Sequence, residues 1–422
     1  MTTDEEHGLS DHGSTPDLFS APFPTPGGPR QRPALPSPTM SQTAAPAPTK
    51  SRGLEGVTAL DTELSFIDGQ KGELLYRGYE IGDLAENASF EETAYLLWKG
   101  SLPTQSQLDE LTAQMREARP VHDDLLDHLR HHTPKDANPM AAMRTALSML
   151  AAYDDEADVM EPEANYRKAV RLTAKLPTLL AAFDRIRKGK EPLAPKQEGS
   201  TAHDFLYMLN GEAPGPEAEK IMDAALVLHA EHGLNASTFT ARVIGATLSD
   251  MYSAVVGAMG ALKGPLHGGA NIEVMKTLIA LDESGETAQE FVDRKLANKE
   301  KIMGIGHRVY KTLDPRATIL RGMLSGLSEE KGETKWLEMS DTIRTTVKES
   351  KGLDANVDFY SASVYYLLGI ETDLYTPIFA ISRMTGWTAH LLEQWQDNRL
   401  IRPRAEYVGE RGLSVTPVGE RG

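Results

Sequence analysis

From residue 90 onward the apolar positions recur with the three- to four-residue spacing of helices, and period-two alternation is scarce. Residues 90–98 show this most clearly. Ser89 stands before them as an N-cap and Glu92 follows three residues later, the spacing of a capping box. Residues 221–229 make a second amphipathic run, and residues 237–262 read as one long helix rich in small side chains, among them Gly245, Ala246, Gly257, Ala258, Gly260 and Ala261. A glycine inside a helix costs about 1 kcal/mol against alanine. That segment is therefore expected to approach a second helix closely, in this subunit or another; irregular breaks are the alternative. Extended pattern is confined to residues 54–57 and 64–69, short stretches broken by glycine that predict a small β-structure within residues 54–80. The fold class expected is mostly α.

Composition adds boundaries and exclusions. A length of 422 residues suits two domains. Residues 1–50 hold 10 of the 25 prolines and are expected to form a disordered tail. Met40 lies inside it, so residues 1–39 read equally as an extension upstream of a second start. Glycine and proline at Gly264 and Pro265, and again at Gly369 and Pro377, suggest that the chain leaves one domain and returns to it. There is no cysteine, which excludes disulfides, thiolate metal sites and a cysteine nucleophile. The net charge of -17 repels nucleic acid. No apolar run approaches the roughly 20 residues of a membrane span, and the acidic opening (Asp4, Glu5, Glu6) is unlike a secretory segment. The expected setting is the cytoplasm, without a membrane or nucleic-acid partner.

Four groups of residues could carry chemistry. His229 and His232, ahead of Asn235, share a helical face and suit either an anionic substrate, a structural role or a metal, although the HExxH arrangement is absent. His267 sits in the glycine-rich turn Lys263-Gly-Pro-Leu-His267-Gly-Gly-Ala-Asn271, where glycines permit close backbone approach. His307, Arg308, Lys311 and Arg316 concentrate basic groups within ten residues of an otherwise acidic chain, as a polyanionic ligand or a solvated basic turn would require. Asp358 precedes a helical run over residues 362–369; it reads as a helix cap or as a base held ionised by the helix dipole.

Taken in order, these motifs resemble citrate synthases, over residues 54–404. The most specific are Gly-Pro-Leu-His267-Gly, Gly-His307-Arg-Val-Tyr-Lys-Thr-Leu-Asp-Pro-Arg316 and Asn-Val-Asp358, while Leu234-Asn-Ala-Ser-Thr-Phe-Thr-Ala-Arg242 is similar to the bacterial and archaeal branch. Ile305 stands where that pattern more often has an aromatic, Ala or Val, and keeps the turn apolar. The resemblance implies a two-domain helical homodimer. Its large domain would hold residues 54–266 and 369–422, with a small domain of residues 267–368 inserted between them.

The resemblance also implies an acyltransferase that joins acetyl-CoA to oxaloacetate and hydrolyses citryl-CoA, with neither metal nor cofactor. Asp358 would deprotonate acetyl-CoA, His267 would stabilise the enolate and His307 would polarise the oxaloacetate carbonyl. Arg316 would assist His307, while His232 and Arg383 would hold substrate carboxylates. Arg402 would reach a site across the dimer interface, and Lys311 and Arg308 would contact CoA. Having no cysteine, the chain cannot load an acyl group on a thiolate first, as thiolase-like enzymes do. The readings competing with this one are a 2-methylcitrate synthase using propionyl-CoA, a metal hydrolase built on His229, His232 and His267, and a catalytically inert binding protein.

Overall fold

Helical spacing in the sequence becomes sixteen α-helices among the described residues of the computed structural model, which are residues 52–196 and 198–421. The proline-rich segment 1–50 lies outside them. The chain divides into Met1–Ala59 and Leu60–Gly422. In the first unit, the extended stretch expected at residues 54–57 is instead a turn. Arg52–Leu54 is one turn of 3-10 helix, Leu54 takes φ 59°, and Val57 N donates back to the Leu54 carbonyl at 3.1 Å.

The second unit opens with an antiparallel meander in the order β1 (Ser65–Asp68), β2 (Glu73–Tyr76) and β3 (Tyr79–Glu80). Ser65 faces Tyr76 across its first pair. Helices follow: α1 (Ile81–Asn87), α2 (Phe90–Lys99), α3 (Gln105–Ala118), α4 (Asp123–His131) and α5 (Pro139–Leu150). Then come α6 (Pro162–Arg187), α7 (Thr201–Asn210), α8 (Pro216–His229), α9 (Ala236–Gly245) and α10 (Met251–Leu262). The last six are α11 (Ala270–Ser284), α12 (Ala288–Ala297), α13 (Pro315–Lys331), α14 (Lys335–Lys351), α15 (Val357–Leu367) and α16 (Tyr375–Gln396). The capping box at Ser89 and Glu92 forms as its spacing predicts, with both reciprocal hydrogen bonds.

α16 is the axis of the packing. Every residue from 375 to 391 is buried, so the helix is covered on all sides, chiefly by α6, α9, α10, α2 and α8. Its approach to α8 is so close that a Cβ at Gly386 would strike the Ala230 carbonyl. The segment 237–262 is two helices rather than one. Leu248 turns to φ 64°, and Asp250 restarts the chain by accepting from Ser253 N at 2.8 Å. The close contact expected of its small residues lies within the chain: Gly257 of α10 faces Ile244 and Thr240 of α9, and Gly245 faces Leu391 of α16.

α2, α7 and α8 meet around two carboxyls. Glu91 accepts from Thr201 N at 2.7 Å and from its hydroxyl at 2.8 Å, while Asp223 accepts the first amide of α2, from Phe90, at 3.2 Å. Burial, reinforced by the charge of Glu91 beside it, pushes Asp223 up to about 8. Between its ordinary value of 3.8 and 8, the unfolded chain binds fewer protons at this site than the folded one, so stability falls as pH rises. Asp223→Asn can still accept from Phe90 N and carries no charge. Its melting temperature relative to the parent should therefore be higher at pH 8 than at pH 5. An equal difference at both pH values would show that Asp223 is ionised throughout.

Candidate active site

Two irregular segments pair to build the floor of the site. Ile305 and Ala355 form a β-bridge, Gly306 N donates to Asp354 O at 2.7 Å, and Asn356 N donates to Gly304 O at 2.9 Å. The pairing needs glycine. Gly304 and Gly306 take φ 76° and 82°, and a Cβ at Gly304 would come within 2.7 Å of Val274. Asn356 completes the join, donating from Nδ2 to Gly306 O at 2.8 Å and accepting from Asp358 N at 3.0 Å. The cap of α15 is thus Asn356, and Asp358, the second residue of the helix, has a side chain free of that duty. α15 also begins at Val357, five residues before the helical run read from the sequence.

Asp314 anchors what lies beneath. Its buried carboxylate accepts from Arg316 Nε at 3.0 Å, from the second guanidinium nitrogen at 2.7 Å and from Val357 N at 3.2 Å. The same residue therefore fixes Arg316 and the first turn of α15. Arg316 and Arg383 are both buried. Arg383 donates from Nε to His229 O at 2.8 Å, and burial lowers it to about 10, so it remains charged at neutral pH. Asp358 lies in the fields of both arginines and of Asp314. Burial outweighs the arginines and raises it to about 6, which leaves it mostly ionised at neutral pH.

The three histidines nearest this floor are neutral, each held so chiefly by burial. His307 is pushed down to about 4, with Arg316 adding to the effect. Its Nδ1 accepts from the amides of Val309 at 2.9 Å and Tyr310 at 3.2 Å, so the ring proton sits on Nε2. His267 is likewise pushed down to about 4. Its Nε2 accepts from Ser237 N at 3.2 Å and stands 2.8 Å from Ser237 Oγ, which leaves the proton on Nδ1. Trp387 Nε1 donates to the same Ser237 oxygen at 3.1 Å, and Thr376 pins the His267 turn through Gly268 O at 2.7 Å. His232 is lowered well below its ordinary range by burial and both arginines; its ring meets His307 edge-on at 5.5 Å, and its Nε2 meets Tyr310 Oη at 3.1 Å.

The structure thus draws His232, His267, His307, Arg316, Arg383 and Asp358 into one set of overlapping fields. Lys311 and Arg308 are exposed near its edge, where Lys311 N is tied to Gly69 O at 2.8 Å. Beside Arg308 opens a cleft of about 600 Å³, walled by Leu296, Ile302, Ile305, Val347 and Leu353 and bordered by Lys299, Lys301 and Lys351. Arg402 is exposed in the irregular segment after α16 and shares no hydrogen bond with the cluster. His229 does not join it as a ligand: its Nδ1 bonds to Ala225 O at 2.7 Å in the core, and burial pushes it to about 3. Among the described residues no group of three or more His, Asp or Glu is arranged to hold a metal ion, and no helix is long and apolar enough to cross a membrane. Ser237, Tyr310, Asp314 and Asn356 were given no role from sequence, although each stands inside or beside a motif quoted above. The three lysines of the cleft lay outside every motif.

A carboxyl of raised pKa that shares the fields of the same arginines with neutral imidazole donors is suited to taking a proton from a carbon acid and having the enolate stabilised without strong acid. The relatives of the chain make it an acyltransferase. Residues 53–404 match the family described as citrate synthase, C-terminal domain. The chain is 54% identical over 373 residues to citrate synthase 2 of Bacillus subtilis, covering 88% of this chain and 100% of that protein. It is 52% identical to the citrate synthase of Haloferax volcanii, over 88% and 98%. Its fold matches the citrate synthase of Thermoplasma acidophilum, solved with carboxymethyl coenzyme A and oxaloacetate, with a TM-score of 0.83 at 34% identity over 88% and 99%. A 2-methylcitrate synthase of Corynebacterium glutamicum stands lower, at 43% over 88% and 97%. The chain belongs to the citrate synthase family.

Ser237→Ala removes the hydroxyl beside His267 and the acceptor of Trp387. One such hydrogen bond is worth about 1 kcal/mol, which corresponds to a fall in turnover of about fivefold to tenfold. Steady-state rates at saturating substrate check this, and parental turnover would remove Ser237 from the orientation of His267.

Proposed function

We propose that this chain condenses acetyl-CoA with oxaloacetate and hydrolyses the citryl-CoA formed, releasing citrate and CoA. The observation that carries the reading is Asp358, a carboxyl raised to about 6 at the end of a segment whose backbone is hydrogen-bonded to the loop of His307. Near neutral pH it is mostly ionised yet close enough to 7 to accept a proton usefully.

In this reading Asp358 takes a methyl proton from acetyl-CoA while His267 donates its Nδ1 proton as a hydrogen bond to the developing enolate oxygen. The enol carbon then attacks the keto carbon of oxaloacetate. His307 polarises that carbonyl from Nε2 with the help of Arg316. Because both imidazoles are neutral, they act as hydrogen-bond donors to oxygen rather than as full cations. Buried Arg383, with His232, binds the substrate carboxylates, a task to which guanidinium geometry is suited. Water then cleaves the thioester, freeing the CoA thiol. Lys311 and Arg308 serve the CoA phosphates, and the adjoining lysine-bordered apolar cleft suits a long ligand with both apolar and phosphate parts.

The proposed setting is a cytoplasmic homodimer in which Arg402 of each chain completes the other's site. Exposed apolar residues on the segment after α16, Leu400, Tyr407, Val408 and Leu413, support a partner covering it. Residues 54–266 with 369–422 would form the large domain and 267–368 the small one, whose closure excludes water. In support, α11, α13 and α14 gather on α15, and α12 packs on α14. The second reading, 2-methylcitrate synthesis from propionyl-CoA, uses the same residues. One methylene in an apolar pocket is worth only about 1–3 kcal/mol, and relatives of that name stand at lower identity.

Release of free CoA thiol in the presence of oxaloacetate and a chelator should strongly favour acetyl-CoA over propionyl-CoA. Preference for propionyl-CoA would select the second reading, and silence with both would defeat the two together. The active form of Asp358 is the ionised one, so kcat/KM for acetyl-CoA should be halved near pH 6 and fall further in acid. Asp358→Asn should lose turnover by about three orders of magnitude or more. A raised carboxyl destabilises the folded state once ionised, so this variant should melt no lower than the parent at pH 7.5. A lower melting point with normal turnover would make Asp358 structural.

A further inference from the structure

Arg402 depends on where its segment leaves the protein. α16 ends at Gln396, and Asp397 departs from helical geometry at φ -139°, ψ 69°. At that point the chain is tied down from inside. The Gln394 amide is buried; its nitrogen donates to Asn398 Oδ1 at 3.1 Å and to Arg399 O at 3.4 Å. Asn398 Nδ2 donates to Ala246 O at 3.2 Å, fastening the outgoing chain to the end of α9. The Gln394 oxygen accepts from Arg242 Nε at 2.9 Å, which fixes the amide so that its nitrogen must face the departing segment.

Arg242 is itself part of a longer relay. Its guanidinium meets His390 Nδ1 at 3.0 Å and Glu393 at 2.5 Å, and His390 Nε2 meets Glu231 at 3.1 Å. Glu231 is fully buried and immediately precedes His232. A continuous line of polar contacts therefore runs from beside His232 to the backbone of Arg399, three residues before Arg402. Ending a helix requires only partners for its last carbonyls, which water or a single turn supplies. A buried amide held by a buried arginine on one side and donating twice to the outgoing chain on the other is more than termination needs.

We propose that Gln394 and Asn398 are positioning residues for Arg402, fixing the direction in which its segment leaves α16 so that the guanidinium meets oxaloacetate already aimed. This rests on the reading that Arg402 binds oxaloacetate across the dimer. Fixing the exit removes freedom that binding would otherwise have to remove, so the contribution appears in oxaloacetate affinity rather than in the chemical step.

The test is a double-mutant cycle on the full-length dimer, with light scattering to verify assembly. Asn398→Ala breaks the surface end of the relay, and Gln394→Glu keeps the acceptor for Arg242 while removing the donor to the outgoing chain. Each should raise KM for oxaloacetate by about fivefold with kcat changed less than about twofold, the size expected for one or two hydrogen bonds. Arg402→Ala should raise KM by more, and adding Asn398→Ala to it should change nothing further. If Arg402→Ala raises KM while neither other variant does, or if their effects persist undiminished in the Arg402→Ala background, the positioning role is overturned. If Arg402→Ala leaves KM unchanged, the assignment of Arg402 falls and takes the inference with it.

Discussion

The site depends on the pairing of Asp314 with Arg316 in the dry interior. Neither charge is tolerable alone there, and removing one partner of such a pair typically costs about 3–5 kcal/mol. Asp314 also holds the amide of Val357, so the ion pair couples a buried cation to the helix that carries Asp358. Burial lifts Asp358 above the usual carboxylate range, while Arg316 and Arg383 limit the rise. The pair therefore helps to fix where Asp358 stands, while its two charges act on that carboxyl in opposite directions.

The same balance explains the histidines. Two buried guanidiniums make the region hostile to further positive charge, and burial acts in the same direction, so His232, His267 and His307 are uncharged. Local hydrogen bonds then decide which ring nitrogen carries the proton. Backbone amides occupy one nitrogen of His307, and Ser237 occupies one of His267. The guanidiniums are thus the buried cations of the region, and each neutral imidazole keeps a single hydrogen-bond donor.

The sequence showed much of this and missed the rest for identifiable reasons. Helical periodicity, the capping box at Ser89 and the short β-structure were legible because local rules govern them. The break between α9 and α10 was not: Leu248 carries no signal for a left-handed turn, and apolar spacing runs on across it. His267, His307, Arg316 and Asp358 could be picked out by residue type and resemblance. The shift of the capping role from Asp358 to Asn356 could not, because both residues favour caps and only the register of α15 decides between them. Lys299, Lys301 and Lys351 stayed hidden, since three lysines far apart in a charged chain look like ordinary surface until folding sets them round one cleft.

Tyr310 gives the surroundings of His232 a particular character. Its hydroxyl meets His232 Nε2 at 3.1 Å, and its ring lies against His307 at 4.8 Å. That edge of the imidazole already has a partner. An incoming ligand at His232 exchanges one partner for another and gains little from the count of hydrogen bonds. Under the proposed function, selection at this position would fall to net charge: a neutral molecule would gain only an exchange of partners, whereas a dianion would bring the attraction of two buried guanidiniums with it.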